Sequence, residues 1–475
     1  MKKIFQFSFL ISLSTSIYGE LLTSQEIIQN RYSQNVQSYP KQENNSYTNK
    51  TEIISEKDLI NNYELTEYIL KLAISQKHKE LIEDILLIYN KFPQKKTILV
   101  LFTQGVSAKL QQHYDVAISY FRQILAINPN LNPVRIELAT TLFADQQLTA
   151  AKEQFEKAKA EPNLPANIAH LLDQYLNAIE QHSDWQNNLS FNYLRDPNVN
   201  NTSHTQEIEN TGFIKSKEML PQSAHGIAYH FNLSKEYNLF SNHYIYFENT
   251  LWGKYYWDNK DYNDILNRTY LGYMNKSAVQ NWKILPFYGR RWVGKHRYQW
   301  EQGLRSELSR WLSPNWQIST ALEYSKQRYF SQPSSNGFNQ LASITALWLR
   351  NARQYFYTGI DFNREKTRVR QYSSDIKTLR LGWGQEWGKG ISSRLSFSFA
   401  KRQYKAEAKL GGILPLGKIR SDKIYQAQLM LWKRDWHLWG ITPKLQFSWK
   451  KQVSNIPSLY SYQSKNINLL FDKSF

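Results

Sequence analysis

The chain has 475 residues, with 59 Lys and Arg against 40 Asp and Glu, for a net charge of +19. It contains no cysteine, which excludes structural disulfides, Cys-based metal sites and a lipid-modified N-terminal cysteine. Beyond the first 19 residues, no uninterrupted apolar run approaches the ~18 residues that a spanning helix needs, so membrane crossing, if any, falls to strands.

Lys2 and Lys3 precede an apolar stretch from Ile4 to Leu13, and Ile17, Tyr18 and Gly19 follow. This charged, apolar and small-residue order predicts a secretory signal over residues 1–19, cleaved after Gly19. Residues 20–57 are rich in Asn, Gln, Ser, Tyr and Lys with little apolar periodicity, and predict a disordered lead-in.

From Asp58 the pattern becomes helical, and residues 58–184 are expected to form a domain of tetratricopeptide-like repeats in the periplasm. Ala117 and Ala151 stand 34 residues apart, each followed four residues on by Phe121 or Phe155 and seven on by Ile124 or Ala158. Pro129 and Pro162 close the two second helices, and Gly105 sits where the preceding helix prefers a small residue. The order follows from packing: a small residue lets paired helices approach, Phe fills the gap, and Pro stops the helix.

A single helix pair cannot bury its own apolar face. Residues 58–92 supply a degenerate earlier pair, from Leu59 to Ile74 and from Leu81 to Tyr89. A closing helix over 165–180 carries Ile168, Leu171, Leu172, Tyr175 and Ile179. The repeat pattern places Leu99, Phe102, Val106, Ile136 and Phe143 along a concave groove of the kind that binds peptide segments or partner domains; packing against neighbouring helices or the other domain is the alternative use of these residues.

Composition changes at residue 184. Residues 1–184 hold 18 Lys and Arg against 20 Asp and Glu, whereas residues 185–475 hold 41 against 20, and all 15 Trp lie beyond residue 184. Strand signals then repeat to the end. Leu189, Phe191 and Tyr193 alternate with polar residues. Tyr298, Trp300, Leu304 and Leu308 oppose Gln299, Glu301, Arg305 and Glu307, and Leu445, Phe447 and Trp449 oppose Lys444, Gln446 and Lys450.

Fourteen strands are expected, centred near residues 190, 231, 249, 270, 287, 304, 322, 345, 360, 382, 398, 427, 444 and 469. Connections on one side are short, as at 238–243, 276–281, 312–315, 351–354, 388–391 and 433–437. Those on the other side are longer, at 195–225, 256–263, 329–339, 365–375, 405–421 and 451–461, with 293–297 brief. Short periplasmic turns and long outer loops are the construction of outer-membrane barrels. Residues 185–475 are therefore expected to form a transmembrane antiparallel β-barrel of about 14 strands, making an α+β two-domain chain in the cell outer membrane. Its Trp and Tyr suit the two girdles at the lipid headgroups.

Arg305, Arg380, Arg402, Lys444 and Lys450 lie opposite apolar faces and are expected to line the lumen. Such a lining either favours acidic material by electrostatic focusing or satisfies the barrel's own buried polar groups. Arg290, Arg291, Lys295–Arg297 and Arg364–Arg370 cluster near strand ends, where they are expected to bind phosphate and carboxylate groups of the outer leaflet. The final strand presents Ile467, Leu469, Phe471 and Phe475 with polar residues between them, an ending similar to the signal read by the barrel-assembly machinery.

Catalytic constellations are absent: no Walker loop, Gly-x-Ser-x-Gly, His-Glu-x-x-His or paired-carboxylate motif occurs. His225, His230 and His243 are close in sequence but fall at rims or on different strands. No enzyme activity, cofactor or metal is expected, and nucleic acid is not an expected partner.

Signal segment, short repeat array and barrel together resemble the surface lipoprotein assembly modifier family, also called the type XI secretion outer-membrane component. The join carries the most specific likeness: Trp185 to Tyr193 resembles that family's first strand, and Arg195-Asp196-Pro197-Asn198-Val199-Asn200-Asn201 its Asp- and Asn-rich first loop. The resemblance implies a monomer that delivers client proteins across the outer membrane, either surface lipoproteins or secreted soluble proteins such as haem-binding factors. A polysaccharide exporter and a passive porin are the alternatives, the first weakened by the short repeat array and the second having no use for one.

Overall fold

The computed structural model describes residues 56–474 apart from 163, 210 and 438. The expected signal segment, the lead-in up to residue 55 and Phe475 lie outside the described residues. Among the described residues eight helices come first: α1 Glu56–Asn61, α2 Tyr63–Gln76, α3 Lys79–Tyr89, α4 Thr97–Leu110, α5 Tyr114–Ile127, α6 Asn132–Ala144, α7 Leu148–Lys159 and α8 Ala166–Ser183.

Local chemistry explains their ends. The Asn62 side chain accepts from the Leu65 amide and starts α2, and a proline opens the first turn of α6. Lys77, Gln112 and Gln146 all adopt left-handed backbone, with φ of 54°, 63° and 63°. The following amides of His78 and His113 bond back to Ala73 and Ala108, which is the Schellman closure. These three turns recur 35 and 34 residues apart (112 minus 77, 146 minus 112), so the degenerate first pair is a full repeat in register with the others.

The small and aromatic repeat positions form the helical core: Ala117, Phe121, Ile124, Ala151, Phe155 and Ala158 are completely buried. A Cβ on Gly105 would stand 2.7 Å from the Phe121 ring, which is why that position is glycine. Leu59, Leu70, Ile85, Ile88 and Tyr89 make the core of the first pair.

Above that core sits Glu67, whose carboxylate accepts from Lys71 (2.6 Å), Lys96 (2.8 Å) and the Tyr63 hydroxyl (2.6 Å). The Lys71, Lys96 and Tyr63 donors hold its pKa at about 2, below the usual 4.5. A depressed folded-state pKa stabilises the fold above the unfolded value, and that contribution disappears as pH falls through the folded one. The first repeat is therefore expected to lose on the order of 2 kcal/mol between about pH 4.5 and about 2. Protease resistance of residues 56–96, followed over that range, should fall in the native chain and stay nearly flat in Glu67→Gln.

The remaining residues build the sheet. The first barrel strand is β1 Gln186–Asp196, and a two-strand hairpin in the first loop is formed by β2 Glu207–Ile208 and β3 Phe213–Ile214. Next come β4 Ala224–Phe240, β5 His243–Tyr256, β6 Asp264–Lys276, β7 Gln280–Val293, β8 His296–Ser313 and β9 Trp316–Tyr329. Last are β10 Gly337–Asn351, β11 Gln354–Thr367, β12 Ser374–Glu386, β13 Ile391–Leu410, β14 Leu414–Lys433, β15 Ile441–Ser454, the one-turn helix α9 Pro457–Tyr460 and β16 Tyr462–Ser474. Antiparallel neighbours run from β4 to β16, and β1 closes the ring between β16 and β4, giving a barrel of fourteen strands.

Alternation sets the two faces. Leu304, Leu322, Ile344, Ile360, Leu379, Leu381 and Leu395 are exposed on the outer wall, forming the apolar band that lipid tails require. Aromatic pairs flank it. Trp316, Trp348 and Phe356 stack in sequence near the short turns, while Tyr193 with Trp257, Tyr288 with Trp300 and Tyr324 with Phe338 pair near the loops.

Four features depart from the sequence expectation. The loop expected over 405–421 is mostly strand: β13 and β14 run 20 residues each and meet at a turn of three residues, 411–413. Gly411 and Gly412 take positive φ at that turn, and register shifts between Gln403 and Lys409 bend the hairpin. Tyr298 faces inward rather than outward, because the ladder skips it between Arg291↔Gln299 and Trp292↔Arg297. Its ring meets Tyr329 edge-on and lies under the Arg291 guanidinium. Arg291, near the end of β7 as expected, is buried inside the barrel rather than facing outer-leaflet groups. Finally, the β6–β7 ladder is interrupted between Tyr270↔Phe287 and Tyr273↔Ile284, where Pro286 has no amide to donate.

Candidate functional site

Even positions of β12, β13, β15 and β16 and odd positions of β8 and β9 point into the barrel, so strand parity places every expected lumen residue on the inner face. Arg305, Arg380, Arg402 and Lys450 are buried, and Lys444 is nearly so. None of the arginines presents a free charge. Arg305 bonds Glu307 (2.7 Å) and Glu323 (2.9 Å). Arg268, from β6, bonds Glu301 (2.6 Å) and reaches the same Glu323 at 3.5 Å. Two guanidinium groups and three carboxylates thus tie β6, β8 and β9 together along the inner wall.

A second group closes the far wall. Arg380 grips Asp361 with both Nε (2.7 Å) and Nη2 (2.8 Å), and Nη2 also donates to Ser343 and Thr345 on β10. Nearer the loops, Arg402 pairs with Glu365 (2.8 Å), Arg291 with Asp264 (2.6 Å) and Arg420 with Asp422 (2.8 Å). Arg420 also lies over the Tyr460 ring, 3.5 Å from its centre. The basic lining is therefore largely neutralised by its own carboxylates. Arg268, Glu323 and Arg420 were not singled out in the sequence: Arg268 meets Glu301 two strands away and Glu323 meets Arg305 on the adjacent strand, pairings that depend on register, while Arg420 pairs with Asp422 two residues on along β14.

The mouth is covered by the first loop, residues 197–223. The Asp196 carboxylate accepts from the Asn198 amide (3.1 Å), the Asn198 side chain bonds both ways with Thr202, and Asn200 clamps Leu220 and Gln222. Asn201 supplies left-handed backbone, φ 51°, which Asn tolerates. The Asp- and Asn-rich run is thus a set of backbone ties that hold a loop compact. That loop reaches over the neighbouring strand ends: buried Ile208 packs with Ala408 of β13 and with Ile456 and Leu459. Buried Lys215 donates to the Ser203 carbonyl at 2.9 Å, and desolvation lowers its pKa to about 8.

At the seam, Phe191 stacks on Phe471 at 5.3 Å outside the barrel, and inside it Asp472 bonds Lys444 (2.7 Å) and Asn188 (3.3 Å). Ile467 and Leu469 are exposed on the outer face. Of the expected groove residues, Leu99 packs against the first-pair core, Phe102 meets Phe121 at 5.8 Å, and Val106 is buried. Ile136 and Phe143 are half-buried, two turns apart on α6. His225 bonds Asp258 at 2.7 Å at the loop rim, and His243 bonds the Tyr273 hydroxyl near the turns, so these two histidines serve separate contacts.

The profile of the surface lipoprotein assembly modifier family matches residues 185–475, and the profile of that family's N-terminal TPR repeats matches residues 52–155. The chain belongs to this family. It is similar to surface lipoprotein assembly modifier 1 of Haemophilus influenzae, at 35% identity over 85% of this chain and 83% of the relative. The Neisseria meningitidis protein of the same name is 30% identical, covering 88% and 84%. The hemophilin secretion modulator of Acinetobacter baumannii is 22% identical, covering 86% and 85%. Among solved structures, the outer-membrane channel DcaP of A. baumannii matches 62% of this chain and 96% of that one, at 6% identity and a TM-score of 0.35. The family's helical repeats and outer-membrane barrel are thus both present here.

Proposed function

We propose that this chain delivers client proteins across the outer membrane, to the cell surface as lipoproteins or to the medium as soluble haem-binding proteins. The observation that carries the proposal is the junction of the two parts in one family member. A repeat array, whose kind of surface binds protein segments, is continuous through α8 with a closed barrel whose outer wall suits lipid. The names of the relatives, assembly modifiers and a secretion modulator, support the same reading.

In this reading the helices stand in the periplasm and engage client or chaperone, with the half-buried Leu99, Phe102, Ile136 and Phe143 on the groove. Ile467, Leu469, Phe471 and Phe475 serve recognition by the barrel-assembly machinery, and the chain works as a monomer among outer-membrane lipids. No step requires a catalytic group. Deleting the gene should remove particular proteins from the surface or medium while capsule and matrix polysaccharide persist, as read by labelling intact cells; lost polysaccharide with unchanged surface proteins would overturn the proposal.

A further inference from the structure

The seam between the first and last strands is short. β16 pairs with β15 at twelve positions but with β1 at only five, from Asn192↔Leu470 to Asn188↔Ser474. β1 is paired with β4 along all eleven of its residues. Beyond Asn192 and Leu470 the two strands separate, and among the described residues no strand pairs with Gln463–Leu469 on the β1 side.

No local breaker explains this separation. The β6–β7 gap has Pro286 as its covalent cause, but neither proline nor glycine occurs within β1 or β16. Both segments remain strands, β1 to Asp196 and β16 from Tyr462, and simply stop pairing with each other. An open edge of this kind has one natural complement, an extended chain that supplies the missing ladder hydrogen bonds. In hydrocarbon no water is present to satisfy unmet backbone groups, so the edge favours an occupant.

The side chains describe that occupant. Outward-facing Ile467 is 71% exposed and Leu469 47%, whereas Ser464, Asn466 and Asn468 face inward. A segment lying beside them must alternate apolar residues toward lipid with polar residues toward the interior. We infer that Gln463–Leu469 is a docking edge for an extended amphipathic segment of the exported protein, which adds to the sheet between β16 and β1. The inference rests on the proposed function and specifies where the client engages the barrel.

The test places the photo-crosslinking residue p-benzoylphenylalanine at position 467 or 469 of the full chain in intact cells. Position 344, also outward-facing and exposed but on β10, serves as control. Adducts from 467 and 469, and not from 344, should contain the proteins whose surface appearance requires this chain. No such adducts, equal adducts at all three positions, or adducts with assembly machinery alone would overturn the inference.

A second arm exploits the absence of cysteine. Continuing the register sets Tyr193 opposite Leu469, so a disulfide between Tyr193→Cys and Leu469→Cys zips the edge shut. Client delivery should then fall to the level of the deletion strain and return on reduction. Unchanged delivery with the disulfide formed would overturn the inference. If wild-type and deletion cells display the same surface proteins, the proposed function itself fails, and not this edge alone.

Discussion

Replacing Arg305 with Met should destabilise the barrel by about 3–5 kcal/mol, the usual cost of stranding buried carboxylates by removing their partner. Arg305 bonds Glu307 at 2.7 Å and is the nearer of two arginines on Glu323, where Arg268 stands 3.5 Å away. The penalty should come from the acids left behind rather than from the loss of attraction. A triple variant, Arg305→Met with Glu307→Gln and Glu323→Gln, should therefore recover most of the stability. The urea midpoint of the folded barrel in detergent micelles measures both. Equal midpoints for the single variant and the native chain would show the cluster to be solvated rather than buried.

The second large effect concerns two glycines of β12. Tyr357 lies directly opposite Gly382 and Tyr355 opposite Gly384, and both rings fold across the missing side chains. A Cβ on Gly382 would come within 1.9 Å of the Tyr357 ring, and one on Gly384 within 2.0 Å of Tyr355. Gly382→Val with Gly384→Val must evict both rings, and overpacking of this kind costs about 1–3 kcal/mol at each site. Tyr355 also accepts from Arg394 at 2.8 Å, a bond lost with the ring. The folded barrel band on unheated gels should shift to lower melting temperature or vanish. Adding Tyr357→Ala to Gly382→Val alone should restore much of it; no restoration would place the strain elsewhere.

These two sites mark the limit of what the sequence discloses. Alternation is local, so all fourteen strand centres, the inward parity of Arg305, Arg380 and Arg402, and the outward parity of Leu304 and Leu379 follow from reading along the chain. Pairing is not local. That Arg268 meets Glu301, or that Tyr357 covers Gly382, depends on register between separate strands. Residues 405–421 are mostly strand, with Gly411 and Gly412 making a tight turn and β14 continuing through Gly417 at positive φ, a use of glycine that alternation along the chain does not disclose. Tyr298 fits the outward set by period, and only the bulge at that position turns it inward.

The helical part divides in the same way. The 34-residue spacing of Ala117 and Ala151 was enough to find two repeats, because those helices keep the small and aromatic order. The first repeat lacks that order and is revealed by its left-handed turn at Lys77, a backbone feature that a lysine does not announce. The groove residues show the opposite case: Phe102 and Val106 have the right spacing on α4, and their observed contacts are with Phe121 and the helical core.

The central claim is that this barrel and its repeats move proteins to the outside of the cell. Labelling of intact cells with a membrane-impermeant reagent, followed by mass spectrometry of labelled and released proteins, tests it most directly in three strains: native, deleted, and deleted but supplied with the barrel lacking residues 58–183. A defined set of proteins should vanish from the surface or medium in the deleted strain, accumulate in the periplasm, and remain there when only the barrel is returned. An unchanged labelled set in the deleted strain would contradict the account.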